Sequence, residues 1–133
     1  MTLNELSQLY YLKREVKSLR GKILELESRA TNTSVRISDM PHGKSAGDKI
    51  GTIAPQLALY RAELTRSLER CCTELRKLNA YITACPDSLT RQILTLRFVD
   101  GLTWNQVAAR IGGTSEYAVK KIVYRHLRTE RRE

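Results

Sequence analysis

Apolar residues that recur every seven positions constrain the fold of this chain more than any other feature of its sequence. The first series, and a companion series three positions later, are Leu9, Val16, Ile23, Ala30 and Leu12, Leu19, Leu26. With charged residues between them, they form a heptad pattern that predicts an amphipathic helix over residues 3–30. At about 1.5 Å per residue this helix is roughly 40 Å long, so its apolar stripe needs a long partner helix.

A second heptad series downstream predicts that partner. Its two lines are Ile50, Leu57, Leu64, Cys71, Leu78 and Leu68, Leu75, Ile82. They favour a helix over residues 48–84, with a kink or a later start at Pro55 because proline lacks the backbone donor. Residues 31–47, which hold Ser, Thr, Asp, Pro and Gly, are predicted to form the connecting loop. We expect an antiparallel coiled-coil hairpin in residues 1–85, paired within one chain or between two, and a homodimer through this coiled coil.

The chain changes character at Pro86. Because proline disfavours helical geometry in the residue before it, the second helix is predicted to end at Cys85. Three shorter helices are predicted beyond it: residues 88–99 after a cap at Asp87 or Ser88, 104–111 after a cap at Thr103, and 115–128 after a cap at Thr114 or Ser115. Turns at Gly101 and at Gly112-Gly113 separate them. The sequence thus predicts an all-α fold in which residues 86–133 form a small helix-turn-helix domain.

Positive charge is concentrated in that predicted domain. The 133 residues carry 23 Lys and Arg against 14 Asp and Glu, a net charge of +9. Residues 88–133 hold nine of these bases and four of the acids, which gives +5 in 46 residues. A surplus of this size suits a polyanionic partner such as nucleic acid.

The last predicted helix has two chemically different faces. Its core stripe consists of Val119, Ile122, Val123, His126 and Leu127, at helical spacing. The opposite face carries Tyr117, Lys120, Lys121, Tyr124 and Arg128, with Glu116 and Arg125 beside them. Such a face offers cations to phosphates and presents side chains that reach base edges from its N-terminal end. It predicts the DNA-reading helix of a helix-turn-helix.

A longer motif runs through the predicted domain. It reads Leu94-Thr-Leu-Arg-Phe-Val-Asp-Gly-Leu-Thr-Trp-Asn-Gln-Val-Ala-Ala-Arg-Ile-Gly112, followed by Val119-Lys120 and Arg125-His-Leu127. A leucine-rich helix, a glycine turn, a Thr-Trp opening and Val107-Ala108 occur in that order. This pattern resembles region 4 of bacterial sigma factors, although the turn from Gly113 to Ala118 is one residue longer than is usual there.

With the coiled-coil hairpin before it, the whole chain is similar to the small sigma-factor-like proteins of phages and prophages, relatives of ArpU-type regulators of late phage genes. The resemblance implies a transcriptional regulator that binds double-stranded DNA in the cytoplasm of a bacterial host cell. It assigns base reading to Glu116, Tyr117 and Lys121. It assigns contacts with the DNA backbone to Thr103, Trp104, Lys120 and Arg125.

The predicted DNA-binding residues are Thr103, Trp104, Ser115, Glu116, Tyr117, Lys120, Lys121, Tyr124, Arg125 and Arg128. In this hypothesis the N-terminal turns of residues 115–128 enter the major groove, while Thr103 and Trp104 hold adjacent phosphates. Two alternatives use the same residues. One is a small terminase-like DNA-packaging subunit that assembles as a ring, and the other is a protein-binding module that contacts RNA polymerase and not DNA.

Neither an enzyme nor a metal or cofactor site is predicted. The sequence suggests no Ser-His-Asp or Cys-His arrangement. Its cysteines Cys71, Cys72 and Cys85 form no CxxC pair, and His42 and His126 lack ligand spacing. Apolar runs are far shorter than the roughly 20 residues that span a bilayer, and no signal-peptide pattern is present. We therefore expect a soluble cytoplasmic protein without a membrane partner.

Overall fold

The computed structural model describes residues 1–39 and 43–133, and it describes side chains at residues 1–31 and 51–133. Every regular element in these residues is helical. In chain order the elements are α1 (Leu3–Asp39), α2 (Gly43–Ala84), α3 (Ser88–Leu94), a π-helical turn (Thr95–Val99), α4 (Trp104–Ile111) and α5 (Glu116–Arg132). The predicted all-α fold is confirmed for these residues.

The two long helices extend further than the sequence pattern predicts. α1 continues to Asp39 and α2 begins at Gly43, so most of the loop expected at residues 31–47 is helical. Residues 40–42, and the side chain of Ile50, lie outside the described residues. Residues 31–39 hold neither glycine nor proline, and Ser, Thr or Asn costs at most about 0.7 kcal/mol in a helix relative to alanine. α2 runs through Pro55, so it does not begin at that residue.

Contacts divide the chain into two compact units. The terminal unit comprises Met1–Leu12 and Cys71–Glu133, and the hairpin unit comprises Lys13–Arg70. The boundary predicted between residues 85 and 86 falls inside the terminal unit, and the division into residues 1–85 and 86–133 stays a prediction.

In the hairpin unit, α1 packs against α2 along the predicted heptad stripe. Within this unit the buried residues of α1 are Val16, Leu19, Ile23 and Leu26, all of them heptad positions. Arg61 Nη2 donates to Glu27 Oε1 at 2.9 Å, and Lys22 Nζ lies 5.4 Å from the centroid of the Tyr60 ring. The heptad prediction for α1 is therefore confirmed in this unit, and the packing of the two helices is consistent with a coiled coil.

The second heptad line of α2 is wrong at Leu68. Ser67 is buried with 6% of its surface exposed, whereas Leu68 is 38% exposed. At about 100° per residue, Leu68 lies roughly 60° around the helix from the buried Ile53, while Ile82 lies only about 20° from it. A strict seven-residue repeat drifts by about 20° per heptad on a straight helix. The apolar leucine is therefore carried to the edge of the contact face, and a serine takes its place.

The terminal unit has its own core, to which every one of its helices contributes. Its buried members are Leu6, Leu9, Leu78, Ile82, Cys85, Ile93, Leu94, Phe98, Val107, Ala108, Val119, Val123 and Leu127. Burial of a large aliphatic side chain stabilises the folded state by roughly 1.5–3 kcal/mol. The core thus fixes α3, α4 and α5 to the start of α1 and the end of α2.

Local capping positions the short helices of this unit. The Asp87 carboxylate accepts from the Thr90 backbone N–H at 3.0 Å and from the Thr90 hydroxyl at 2.6 Å, and these bonds lower the pKa of Asp87. The predicted caps at Asp87, Thr103 and Ser115 are confirmed. α3 passes into the π-helical turn, which reaches Val99 as the predicted helix does.

The turn between α4 and α5 depends on glycine. Gly112 has φ of 78° and Gly113 has φ of 67°, a region that side chains with a Cβ atom rarely adopt. No atom lies within 4 Å of a Cβ built on either glycine, so the constraint comes from the backbone itself. The two residues turn the chain so that α5 packs on α4 directly after it.

Candidate nucleic-acid interface

One face of α5 is sealed into the core of the terminal unit. Val119 and Val123 are fully buried and Leu127 is 8% exposed. Ile122 and His126 are half-buried beside them. These five are the residues predicted for the core stripe, and that prediction is confirmed. Because the apolar face is fixed, the residues on the opposite side of the helix are held towards solvent.

The outward face of α5, which we call the basic face, combines aromatic and cationic side chains. It comprises Tyr117, Lys120, Lys121, Tyr124, Arg125 and Arg128. Tyr117 is 73% exposed and Tyr124 is 44% exposed, so both rings are open to solvent. Lys120 is half-buried, and the other three cations are exposed. The structure thus places these six predicted residues along the solvent side of one rigid helix.

Two contacts order the first turns of the basic face. Lys120 Nζ lies 3.2 Å from Glu116 Oε1, an ion pair one turn apart. Lys121 Nζ lies 6.0 Å from the centroid of the Tyr117 ring, within cation–π range. Exposed pairs of this kind are worth less than about 1 kcal/mol, so they hold these side chains only weakly.

The predicted residues Thr103 and Ser115 stand at the starts of α4 and α5. Thr103 Oγ1 accepts from the Gln106 N–H at 3.2 Å, and Gln106 Oε1 accepts from the Thr103 N–H at 2.9 Å, which completes a capping box. Ser115 Oγ accepts from the Ala118 N–H at 3.2 Å. Each hydroxyl oxygen is therefore used in a cap, and each hydroxyl proton remains to donate to a ligand oxygen.

Trp104 lies against the core rather than out on the surface. Its half-buried ring packs edge-on to Phe98, with centroids 6.2 Å apart, and the Arg97 guanidinium sits 4.7 Å from its centroid. Arg97 Nη1 also donates to the Leu102 carbonyl at 2.9 Å. Sequence reasoning missed Arg97, which stacks on the first residue of α4 and pins the turn before it.

A polar network that the sequence did not reveal fastens α5 to α2. The Tyr81 hydroxyl donates to Glu130 Oε2 at 2.7 Å and lies 3.0 Å from His126 Nε2. Since the single hydroxyl proton goes to the carboxylate, the tyrosine oxygen accepts from His126, and Nε2 carries a proton. Cys85 Sγ lies 3.5 Å from the same nitrogen, and the Met1 ammonium lies 3.3 Å from Glu130 Oε2.

Burial and hydrogen bonding shift the pKa values in this network. Burial, then the bond to Glu130, raises the pKa of Tyr81, and burial raises the pKa of the Cys85 thiol. For Glu130, burial acts to raise the pKa, but the hydrogen bonds from Tyr81 and the Met1 ammonium outweigh it and leave the pKa below its ordinary value. Glu130 is therefore an ionised acceptor at neutral pH, and Cys85 is a protonated thiol.

No protein-family model, no curated protein and no solved structure matches this chain.

Within residues 1–39 and 43–133, no helix is both long and apolar enough to cross a membrane. Among those same described residues, no three His, Cys, Asp or Glu side chains are grouped so that they could hold a metal ion.

Proposed function

We propose that this chain binds double-stranded DNA through the basic face of α5 and acts as a transcriptional regulator of the phage sigma-factor-like kind. The observation that carries the proposal is the pairing of exposed tyrosines with cations on a helix whose other face packs into the core. Cations supply affinity for phosphates, while aromatic and polar side chains supply contacts with base edges. Because the core face holds the helix in place, binding carries no cost for ordering its backbone, and only the side chains have to be ordered.

In the proposed complex, the N-terminal turns of α5 enter the major groove. Tyr117 and Lys121 then meet base edges, because they occupy the first exposed turns after the Ser115 cap. Arg125 lies further along the helix and contacts a phosphate. The Thr103 hydroxyl at the start of α4 donates to an adjacent phosphate.

Substitution of Lys121 and of Arg125 is expected to separate these two roles. Lys121→Ala should weaken binding to a preferred site, selected from a random duplex pool, by about 1–3 kcal/mol and should weaken binding to random DNA much less. Arg125→Ala should weaken both similarly and lower the slope of log K against log salt by about one. Fluorescence anisotropy with labelled duplexes over a salt series measures both quantities.

Arg29→Ala is the matched control, since it removes one exposed cation that pairs with Glu25 in the hairpin unit. It should leave the affinity for either duplex and the salt slope unchanged. Equal effects of Lys121→Ala and Arg125→Ala on the two duplexes would contradict the assigned roles. A wild-type protein that ignores duplex DNA at low salt would contradict DNA binding itself and favour a protein partner such as RNA polymerase.

We also propose that the hairpin unit mediates homodimerisation. Leu24 is 66% exposed and Leu59 is 54% exposed, and a second copy that packs on the hairpin unit would remove these two side chains from water. Multi-angle light scattering of the purified chain should give twice the 15.2 kDa mass. Leu24→Ser with Leu59→Ser should return the mass to that of one chain. A large closed ring would instead favour the packaging subunit.

A further inference from the structure

The exposed stripe of α5 continues past the residues assigned to DNA. Tyr117, Lys121, Tyr124, Arg128 and Arg131 follow one another at intervals of four, three, four and three, so they share one side of the helix. From first to last the stripe covers 14 helical steps, which is about 21 Å at 1.5 Å per step. The major groove of B-DNA is about 12 Å wide and 8.5 Å deep. A helix that enters by its N-terminal turns therefore keeps its last two turns outside the groove.

At those last turns, α5 meets the first turn of α1 in a cleft. The cleft has a volume of about 330 Å³ and is lined by Thr2, Leu3, Tyr124, Leu127, Arg128 and Arg131. Leu3 is 37% exposed and Tyr124 is 44% exposed, so the lining offers apolar surface to a ligand. Two exposed guanidinium groups belong to the same cleft.

The charges of the cleft are not neutralised from within the fold. Among residues with described side chains, neither Arg128 nor Arg131 has an ion-pair partner. Glu130, the acid nearest to them in sequence, is directed to Tyr81 and the Met1 ammonium instead. The cleft therefore combines net positive charge with apolar walls. A deoxyribose-phosphate unit has the matching chemistry, an anionic phosphate next to an apolar sugar face.

We infer that this cleft holds the sugar–phosphate backbone at the border of the major groove, so that the first turn of α1 is part of the DNA interface. The inference rests on the proposed DNA binding by α5 and adds Leu3 and Arg131 to it. Arg131 neutralises one phosphate, and the Leu3 side chain packs on the adjoining sugar. The first turn of α1 and the last turns of α5 thus contact the same DNA strand.

Arg131→Ala tests this inference, with Arg132→Ala as its matched control. Both arginines are exposed in the last turn of α5, but only Arg131 lines the cleft. Loss of one phosphate contact lowers the slope of log K against log salt by about 0.9, which at 0.15 M salt corresponds to about fivefold weaker binding. Arg131→Ala should show both changes on specific and random duplexes, and Arg132→Ala should show neither. Anisotropy titrations between 0.05 and 0.3 M salt, about a sixfold range, measure the slope.

Leu3→Ala tests the apolar contact with the sugar separately from the charge of the cleft. It should weaken DNA binding about two- to threefold while leaving the salt slope at the wild-type value, because an apolar contact releases no counterions. Trp104 fluorescence verifies that the terminal unit of each variant is folded. If the wild type binds DNA in a salt-dependent way but Arg131→Ala and Arg132→Ala behave alike, the cleft is not part of the interface. If the wild type does not bind duplex DNA at all, the proposed function fails first.

Discussion

Leu94→Ala is expected to lower the free energy of unfolding of the terminal unit by about 2–5 kcal/mol. Leu94 is fully buried at the end of α3, where the chain passes into the π-helical turn. Truncation removes the transfer free energy of the side chain and leaves a cavity that the packed neighbours fill only in part. Since small domains have total stabilities of only about 5–15 kcal/mol, this loss is large.

Urea unfolding monitored by Trp104 fluorescence measures the free energy of unfolding of the terminal unit. Trp104 is the single tryptophan of the chain, and its ring packs on Phe98 in the terminal unit. Leu89→Ala is the matched control, because Leu89 lies in the same helix but is 39% exposed. Its loss should stay within about 1 kcal/mol. Similar losses for the two variants would show that the core is not organised around Leu94.

The parts of the fold that the sequence predicted are those decided by neighbours in the chain. The caps at Asp87, Thr103 and Ser115 depend on a side chain that accepts from a backbone N–H three residues on. A pattern within four residues carries all of that information. The same holds for the two faces of α5, which follow from helical periodicity alone.

The sequence pattern was less reliable where the outcome depends on contacts between distant segments. The choice between Ser67 and Leu68 as the buried residue depends on how far α2 has rotated relative to α1 over several heptads. Residue type alone favoured the leucine. The helical state of residues 31–39 likewise depends on continuation from a long helix, which composition does not record.

The Tyr81 network is not predicted by the sequence for the same reason, because its contacts join residues that are far apart in the chain. Tyr81 is 45 residues from His126 and 49 residues from Glu130, so no short sequence motif contains Tyr81 together with either partner. His126 was predicted as a core residue of α5, which its half-buried position confirms. The partners that satisfy its ring nitrogen come from α2 and from the next turn of its own helix. Neither the composition nor the periodicity of the sequence indicates such a triad.

Tyr81→Phe is expected to destabilise the terminal unit by about 1–3 kcal/mol at neutral pH, because it removes from a partly buried network the hydroxyl that donates to the Glu130 carboxylate and accepts from His126. Among the described residues, the Glu130 carboxylate then keeps only its contacts with the Met1 ammonium and His126. Tyr11→Phe removes a hydroxyl from a tyrosine of the same unit that is 56% exposed, and it should change the stability by less than about 0.5 kcal/mol. Urea unfolding of both variants with Trp104 fluorescence gives the comparison. Equal stabilities would show that the network contributes nothing net.

The difference in stability between wild type and Tyr81→Phe is expected to depend on pH through the ionisation of Glu130. In the folded protein the pKa of Glu130 lies below its ordinary value of 4.5, so the folded state favours the carboxylate. Its stabilising effect is fully present above about pH 5 and is lost as the pH falls through the lowered pKa. Tyr81→Phe removes a bond that lowers this pKa, so the gap between wild type and variant should narrow on acidification from about pH 6 to 3. A gap that stays constant over this range would assign the effect to packing of the ring and not to the hydrogen bond with the carboxylate.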